Sequence, residues 1–434
     1  MQKGYTLIVG MGKTGNAVAN FLIKRNQTIV ITDKNASKKE DAKIFEAKGV
    51  KTEIGFHDLK TFENAKAIIV SPGVPLDIPE LEKARKKGVP ITGELDTISE
   101  LIDVPIVAIT GTNGKTTTTT LIGEMLKQSG LNPFVCGNIG TPIVEYLANK
   151  ENEKIKTDII VAEISSFQLD TSNKFKPDVA LLLNITEDHL DRYKSFNEYT
   201  NSKWSIFKNQ AKSQVAIINS KIENIDNETS KIESKIYYFN NENSITFDNS
   251  VIDLSKTKLI GDHNKENIAA AALATLAAKG NIDGVYKGLQ TFTPLPHRLE
   301  FIKAINGVDF YNDSKATNPD AVKRALECFD KNILLIMGGQ EKDTDFSCLK
   351  KTIKTKIKKL IVMGEAEDKI TNTFSDLCDI FQAVSMENAV NIAYENAVKG
   401  DTILLSPGCT SFDMYENYSQ RGFDFIKQVK RLGR

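Results

Sequence analysis

Short apolar runs alternate with longer amphipathic stretches along the whole chain. In the first part, apolar strands are predicted at residues 5–9, 28–33 and 67–70, and a helix at residues 15–25. Strand patterns that alternate with helical ones are typical of βαβ units and of a mostly parallel sheet. Residues 1–92 therefore form a first predicted α/β domain.

The alternation continues in the middle of the chain, over residues 93–296. Strands are predicted at residues 106–109, 158–162 and 179–184, and an Ala-rich helix at residues 267–279. Residues 219–258 are rich in Asn, Lys, Ser and Glu, but they contain two short strand-like runs at 236–239 and 245–247. We predict a small polar β-rich subregion there rather than disorder.

A third alternating block, residues 297–434, follows a Pro-containing linker at residues 293–296. Its apolar strands are predicted at residues 333–337, 360–363 and 402–406. The pattern as a whole predicts three successive α/β domains.

Composition narrows the functional classes. The 434 residues carry 56 basic and 56 acidic side chains, so the formal net charge is zero, which argues against nucleic-acid binding driven by bulk charge. The N-terminus runs straight into a strand, and no apolar stretch approaches a membrane span, so we expect a cytoplasmic protein without membrane insertion. Nothing suggests a large assembly, and a monomer is expected.

Five scattered cysteines form no CxxC pair, which predicts reduced thiols and no structural zinc. We interpret each of them as a small buried apolar side chain. They are Cys136, Cys328, Cys348, Cys378 and Cys409.

Residues 106–120, IVAITGTNGKTTTTT, combine an apolar strand, glycines, a lysine and a helical pattern. Glycines let backbone N–H groups approach phosphate oxygens, and the start of a helix favours negative charge. Lys115 adds a mobile cation, and Thr116 adds a hydroxyl suited to Mg²⁺. The motif is shortened, because the usual spacing would place a glycine at Ile109. We predict a nucleoside triphosphate site; the alternative is a plain Gly-rich turn.

Residues 10–15, GMGKTG, follow the first strand, and Asp33 ends the next one. This matches the dinucleotide fingerprint of a Gly-rich turn with an acidic residue about 20 positions later. Taken alone, it suggests an NAD-dependent oxidoreductase. The fingerprint reports only a helix N-terminus that can hold a diphosphate, so a UDP group fits equally well, and a turn without ligand is the third interpretation.

Polar residues also follow other predicted strands of the central domain. Glu163 is placed to bind Mg²⁺ beside the phosphate loop, or else to complement a helix dipole. His189 lies in a loop beyond the strand at 179–184 and is a candidate metal ligand or a hydrogen-bonded structural histidine. Lys203 shows no distinguishing pattern and resembles a solvated helix residue.

Similar loops follow the strands of the third domain, where open α/β sheets bind ligands or form plain polar turns. Thr317 or Asn318 is predicted to cap a helix that begins at Pro319. Lys315, beside that helix start, is predicted to reach a phosphate or a carboxylate. The other two loops are residues 338–342 and 406–411.

Together these pieces resemble the Mur ligase family, the ATP-dependent amide-forming enzymes of bacterial cell-wall synthesis. The motifs occur in family order over nearly the whole chain: GTNGKTT (111–117), GNIG (137–140), EISSFQL (163–169), NITEDHLDRY (184–193), GDHNKEN (261–267), LPHRLE (295–300), NDSKATN (312–318) and LLSPGCTSFDMYENYSQRGFDF (404–425). NDSKATN and SPGCTSFD resemble the member that adds D-glutamate. The DYAHTPD-type and HGKTT variants of other members are absent, and folylpolyglutamate synthase lacks a first domain of this type.

The resemblance implies an α/β fold of three domains: a Rossmann-like N-terminal domain, a central P-loop ATPase-type domain and a C-terminal Rossmann-like domain. It implies that the L-alanine carboxylate of UDP-N-acetylmuramoyl-L-alanine attacks the γ-phosphate of ATP. The D-glutamate amine then attacks the acyl phosphate, and phosphate leaves, as a step of peptidoglycan precursor synthesis. The implied cofactors are ATP, Mg²⁺ at two sites with Mn²⁺ as an alternative, and a CO₂-derived carbamate on Lys203.

The resemblance also implies roles for individual residues. The ATP-binding set is Gly111, Thr112, Asn113, Gly114, Lys115, Thr116, Thr117, Asn264, Asn267, Arg298 and Asp313. The UDP-substrate set is Thr14, Asp33, Lys34, Ser71, Gly73 and Asn138, and the D-glutamate set is Thr317, Lys342, Ser411 and Tyr418. The catalytic set is Lys115, Glu163, His189, Lys203 and Lys315, and the metal ligands are Thr116, Glu163, His189 and carbamylated Lys203.

The chain departs from the family pattern at two of these positions. Lys34 stands where an arginine is often found, and Tyr418 stands where a phenylalanine is common. Two other functional classes stay open. An NAD-dependent oxidoreductase would have no need of the lysine-bearing loop, and a nucleotide-gated binding protein would have no need of the full ligand set.

Overall fold

The computed structural model describes residues 4–151, 156–188, 192–257, 259, 261–341 and 344–432. His189 and Lys342, two of the predicted site residues, lie outside these ranges. The chain divides into two compact units. The first comprises residues 1–185, 192–256 and 266–290, and the second comprises residues 186–191, 257–265 and 291–434.

The first unit opens with a five-stranded parallel sheet. Its elements are β1 (Thr6–Val9), α1 (Lys13–Lys24), β2 (Ile29–Asp33), α2 (Lys39–Glu46), β3 (Lys51–Ile54), α3 (Leu59–Glu63), β4 (Ala67–Val70), α4 (Pro79–Lys86), β5 (Ile91–Thr92) and α5 (Glu94–Ile98). The strand order is β3-β2-β1-β4-β5. Leu7, Ile8 and Val9 of the central β1 are fully buried, as expected of a parallel strand covered on both faces. The predicted strands and helix are confirmed to within two residues.

A second parallel sheet follows in the same unit. Its region contains β6 (Ile106–Thr110), α6 (Lys115–Gln128), β7 (Pro133–Gly137), α7 (Glu145–Glu151), β8 (Ile159–Glu163), α8 (Ser166–Leu169), β9 (Val179–Leu182), α9 (Phe196–Trp204), β10 (Val215–Asn219), α10 (Ile225–Thr229), β11 (Lys235–Phe239), β12 (Ser244–Phe247), β13 (Ser250–Asp253), α11 (Asp262–Ala277) and α12 (Ile282–Thr291). The strand order is β11-β10-β9-β6-β8-β7. Strands β7 and β8 lie on one side of β6, and β9, β10 and β11 lie on the other. The strand order therefore reverses at β6, and open α/β sheets bind ligands at the carboxyl end of the strands at such a switch point.

The polar segment 219–258 is only partly the separate β-rich subregion that was predicted. β11 extends the main sheet, pairing in parallel with β10 from Val215↔Lys235 to Asn219↔Phe239. β12 and β13 form an isolated antiparallel hairpin. The sequence could not separate the two outcomes, because β11 is a partly exposed edge strand and no local pattern reports its pairing with β10.

The second unit contains one six-stranded sheet. Its elements are β14 (Glu300–Ile305), β15 (Val308–Asn312), α13 (Pro319–Glu327), β16 (Ile333–Gly338), α14 (Lys350–Lys356), β17 (Ile357–Met363), α15 (Glu367–Phe374), β18 (Asp379–Gln382), α16 (Met386–Glu395), β19 (Thr402–Leu405) and α17 (Tyr418–Leu432). The order is β14-β15-β19-β16-β17-β18, and β14 alone runs antiparallel to its neighbour. The cap prediction is confirmed for Asn318, whose side chain accepts from Ala321 N at 2.8 Å.

The core of this sheet has two faces. Along β16, Leu335 and Met337 pack with Phe346 on one side, whereas Leu334 and Ile336 pack with Phe425 on the other. Helices therefore cover both faces, as in doubly wound α/β domains.

The structure bears on two features of the composition, the apolar stretches and the cysteines. No helix in the described part of the chain is long and apolar enough to cross a membrane. All five cysteines are free; Cys136 and Cys409 are buried, but Cys348 is exposed, so the interpretation of every cysteine as a buried side chain is wrong for that residue.

Candidate active site

The phosphate loop connects β6 to α6 at the switch point of the second sheet. Gly114 has φ 85°, and a Cβ there would lie 2.3 Å from Asn267 Oδ1, so only glycine fits. Asn184, just beyond β9, holds the loop from the neighbouring strand. Its backbone oxygen accepts from Thr112 N at 3.0 Å, and its side chain accepts from Asn113 N at 2.8 Å. Asn184 begins the NITEDHLDRY motif, but it is not among the predicted site residues.

Two lysines converge on one carbonyl of this loop. Lys115 Nζ donates to Gly111 O at 2.7 Å and to Thr112 O at 2.8 Å, and Lys203 Nζ donates to the same Gly111 O at 3.0 Å. Lys203 is only 2% exposed, and its ammonium lies 4.4 Å from the centre of the Tyr199 ring. The interpretation of Lys203 as a solvated helix residue is therefore wrong. The helical spacing of apolar residues could not reveal the burial of Lys203, because the apolar and polar residues of α9 are not clearly separated onto two faces.

A carboxylate at the end of β8 connects the phosphate loop to the next strand along the sheet. Glu163 Oε2 accepts from Thr116 Oγ1 at 2.8 Å, and its Oε1 accepts from Asn138 Nδ2 at 2.9 Å. Glu163 is 2% exposed. The structure thus brings together three predicted site residues that lie 22 to 47 positions apart in the chain.

The donor set of this cluster fits a hard cation. A threonine hydroxyl and a carboxylate supply oxygen ligands, which Mg²⁺ prefers, and Mg²⁺ usually keeps several waters and substrate phosphates in addition. Among the described residues, no group of three or more His, Cys, Asp and Glu side chains could hold a metal by itself. His189, the predicted ligand of a second metal, lies outside the described residues.

A cavity of about 210 Å³ opens beside this cluster. It is lined by Lys13, Thr14, Pro72, Gly137, Asn138, Gly140, Pro142 and Gln168. Thr14 and Asn138 are predicted residues of the UDP-substrate set. Lys13 and Gln168 are not among the predicted site residues, although they lie in the GMGKTG and EISSFQL motifs. Because Asn138 also bonds to Glu163, the cavity wall is continuous with the carboxylate that contacts the phosphate loop.

Other members of the UDP-substrate set shape the Gly-rich turn before α1. Asp33 Oδ2 accepts from Met11 N at 2.6 Å, and Ser71 Oγ donates to Gly10 O at 3.0 Å. Gly73 O accepts from Arg192 at 3.1 Å, and Lys34 is exposed. Asp33 and Ser71 therefore fix the turn itself.

A buried carboxyl lies behind the cavity. Glu94, 3% exposed, accepts from Val144 N at 2.9 Å through Oε1, and its Oε2 has no hydrogen-bond partner within the described ranges. Burial raises the pKa of Glu94 from 4.5 to about 7, and the Val144 backbone N–H and the polar side chain of Gln168 act against that rise. Gln168 in turn lines the cavity.

Glu94→Gln is expected to make the stability of the protein less sensitive to pH between 4.5 and about 7. The folded-state pKa lies above the unfolded value, so stability is lost as pH rises from 4.5 towards 7, by about 3 kcal/mol. Glutamine removes that loss. Urea unfolding at pH 5 and pH 8 measures the difference, with Glu82→Gln on the exposed face of α4 as the control. Equal pH slopes for Glu94→Gln and the wild type would contradict the prediction.

In the second unit, Asp313 is bonded to a strained turn that contains Arg298. Asp313 accepts from Leu299 N at 3.1 Å and from Ser406 Oγ at 2.9 Å, and burial raises its pKa to about 7. His297 and Leu299, on either side of Arg298, have φ of 62° and 47°, a conformation that costs side-chain-bearing residues on the order of 1–3 kcal/mol each. Such strain is typical of functional sites.

The described residues of the predicted D-glutamate set lie on the loops that follow β15 and β19 and at the start of α17. Lys315 Nζ lies 3.8 Å from the centre of the Tyr418 ring, a cation–π contact. Ser411 is buried and Thr317 is half-buried.

Asn264, of the ATP-binding set, is buried in the first turn of α11, and its backbone N–H donates to Gly261 O at 3.0 Å.

A phosphate loop at a switch point, a carboxylate beside its threonine and an adjoining cavity define the class of nucleotide-dependent α/β enzymes. Family models match three parts of the chain: the Mur ligase MurD-like N-terminal domain over residues 4–93, the Mur ligase middle domain over 109–275, and the Mur ligase glutamate ligase domain over 297–409. The chain belongs to the Mur ligase family.

Relatives match over nearly the full length. The chain is 42% identical to a UDP-N-acetylmuramoylalanine–D-glutamate ligase of Desulfosudis oleivorans, over 98% of this chain and 96% of the relative. It is 43% identical to the protein of the same name in Desulfatibacillum aliphaticivorans, over 99% of both chains. Among solved structures, MurF ligase of Thermotoga maritima in complex with ADP superposes with TM-score 0.62 at 18% identity, over 93% of this chain and 95% of that one, which shows the shared fold.

Proposed function

We propose that the protein is an ATP-dependent ligase that adds D-glutamate to UDP-N-acetylmuramoyl-L-alanine in peptidoglycan precursor synthesis. The full-length relatives of that name support the reaction. The single observation that carries it is the position of Glu163, which contacts Thr116 on the phosphate-loop side and Asn138 on the cavity side. A phosphate donor and a carboxylate acceptor bound at these two places would meet at this carboxylate.

The proposed chemistry is phosphoryl transfer followed by amide formation. An oxygen of the L-alanine carboxylate attacks the γ-phosphorus of ATP, and ADP leaves. The D-glutamate amine then attacks the acyl carbon, loses a proton, and releases phosphate. Such transfers depend on positioning and charge neutralisation more than on covalent catalysis by the protein. In this scheme Lys115 leaves the Gly111 and Thr112 carbonyls to neutralise the β- and γ-phosphates, while backbone N–H groups of residues 111–117 cradle them.

Bound Mg²⁺ would supply further charge neutralisation at the phosphates. Thr116 and Glu163 would hold one ion, and His189 with carbamylated Lys203 a second; Mn²⁺ is an alternative metal. For the other ATP-binding residues we propose the roles that the family resemblance implies. Asn264, Asn267, Arg298 and Asp313 would bind the rest of ATP, and Lys315 would approach its γ-phosphate.

We assign the three substrates to three segments of the chain. Residues 1–92 would bind the UDP group through Thr14, Asp33, Lys34, Ser71 and Gly73, with Asn138 from the next segment. Residues 93–296 would bind most of ATP. Residues 297–434 would bind D-glutamate through Thr317, Lys342, Ser411 and Tyr418, and would contribute Arg298, Asp313 and Lys315 to ATP. We propose a monomer that works in the cytoplasm, where ATP and nucleotide-linked sugars are available.

A coupled ADP-release assay over a panel of amino acids tests the function. We expect release only when UDP-N-acetylmuramoyl-L-alanine and D-glutamate are both present. Robust turnover with L-lysine or diaminopimelate in place of D-glutamate would overturn the proposed specificity. Thermal shift with NADH and with a UDP-sugar tests the oxidoreductase alternative, for which only NADH would stabilise the protein.

A further inference from the structure

A buried arginine connects the loops at the carboxyl end of the third sheet. Arg421, in the first turn of α17, is 2% exposed. Its Nε donates to Ser314 Oγ at 3.0 Å, and its Nη2 donates to Ser314 O at 2.9 Å and to Cys409 O at 3.0 Å. Its Nη1 donates to Thr410 O at 3.3 Å and to Gly338 O at 3.4 Å. These five hydrogen bonds match the five donors of a guanidinium.

The five acceptors come from three different loops. Ser314 follows β15, Gly338 ends β16, and Cys409 and Thr410 follow β19, and these three strands are neighbours in the order β15-β19-β16. The same loops carry two residues of the proposed D-glutamate set: Thr317, three residues after Ser314, and Ser411, one residue after Thr410. Arg421 therefore fixes the backbone that presents the proposed amino-acid residues.

Tyr418 belongs to the same network. It lies one helical turn before Arg421 on α17, and its backbone oxygen accepts from Ser314 Oγ at 2.8 Å. Its ring in turn contacts the Lys315 ammonium. Displacing Arg421 would therefore disturb Ser314, and through it both Tyr418 and Lys315.

The positive charge of Arg421 is buried without a hydrogen-bonded carboxylate among the described residues to balance it. All five acceptors are neutral oxygens, and no hydrogen bond joins Arg421 to Asp413, the described carboxylate whose charge acts on it. Burial lowers the pKa of Arg421 to about 10, so the side chain stays charged at neutral pH. Burying a charge beside neutral partners is costly, whereas a neutral amide could cap carbonyls without that cost. A positive charge beneath these loops favours an anionic ligand above them.

We propose that Arg421 is a positioning residue of the amino-acid site, which orders the loops carrying Thr317 and Ser411 and favours a dicarboxylic amino acid through its buried charge. The inference rests on the proposed function, because it concerns the site assigned there to D-glutamate. No contact between Arg421 and the substrate is required.

Steady-state kinetics of Arg421→Gln and Arg421→Lys test the proposal. Glutamine removes the charge and most donors, and lysine keeps the charge without the planar fork. We expect the KM for D-glutamate to rise about 100-fold in Arg421→Gln and about 10-fold in Arg421→Lys, on the scale of hydrogen bonds to charged groups. The KM for the UDP-linked substrate should stay within about twofold, a split that general loosening of the fold would not produce.

Lys427→Gln is the matched control, because it removes one positive charge from an exposed position of the same helix. Its three KM values should equal those of the wild type. Methylguanidinium added to Arg421→Ala should lower the KM for D-glutamate again. Thermal unfolding identifies variants that fail to fold, and if Arg421→Gln does, Arg421→Lys decides the outcome.

A folded Arg421→Lys with unchanged KM for D-glutamate, or equal rises in the KM values for D-glutamate and the UDP-linked substrate, would overturn the proposal. Failure of the proposed function is distinguishable, because it appears in the wild-type panel as turnover without D-glutamate or no turnover at all. If the wild type prefers an uncharged amino acid, the charge argument is wrong whatever the variants do.

Discussion

Lys115→Ala is expected to lower kcat/KM for ATP by about 10³-fold, the scale on which a single charged group stabilises a phosphoryl-transfer transition state. The structure provides the reason. Lys115 begins α6, and its ammonium is held by Gly111 O and Thr112 O within the phosphate loop itself. When a polyphosphate occupies the loop, the same ammonium needs to move only a short distance to exchange neutral carbonyls for charged oxygens.

The best control for this variant lies on the same helix. Lys127→Ala removes an exposed lysine from the last turn of α6, far along the helix from the loop, and should leave kcat/KM unchanged. ADP release and ADP binding by calorimetry provide the two measurements. A Lys115→Ala protein with the ATP dependence of the wild type would refute the assignment of residues 111–117 as the phosphate site.

The fold was predictable because its strands are buried on both faces. Runs such as ILLIM in β16 and IVAI in β6 are apolar throughout, so they stand out without any knowledge of their neighbours. Predictions were weaker where burial is one-sided. β11 is an edge strand with exposed tyrosine and lysine, and its membership of the central sheet is decided by pairing with β10, which no local pattern reports.

The candidate site was predictable to the extent that it lies at strand ends. Glu163 was predicted to lie beside the phosphate loop because both follow strands of a parallel sheet, and the hydrogen bond between Glu163 and Thr116 confirms that proximity. The contributions of Asn184 and Arg421 were not inferred. Both act on backbone groups from distant parts of the chain, so their importance depends on tertiary contacts and not on spacing. The same holds for the burial of Lys203.

The position of Lys203 suggests why a modified lysine would suit this site. Its ammonium donates to Gly111 O, the same oxygen that Lys115 contacts, so two cationic side chains share one acceptor beside the proposed phosphate site. Carbamylation would change one of them: the neutral amine adds to the carbon of CO₂, a proton leaves, and an anionic oxygen ligand results. Such a group would attract a divalent cation to the place where the unmodified ammonium would repel it.

Lys203→Ala is therefore expected to lower kcat by about 10³-fold, because the proposed second metal site would lose its charged ligand. Acetate or propionate should restore part of the activity, since a small carboxylate can enter the space that the side chain leaves and supply the missing oxygens. Lys208→Ala, five residues later and exposed, should keep the activity of the wild type and should not respond to acetate. In the wild type, ¹³C-labelled bicarbonate should give a carbamate carbon signal that Lys203→Ala lacks. Turnover of Lys203→Ala equal to that of the wild type would refute the carbamate, and so would a labelled signal that persists in the variant.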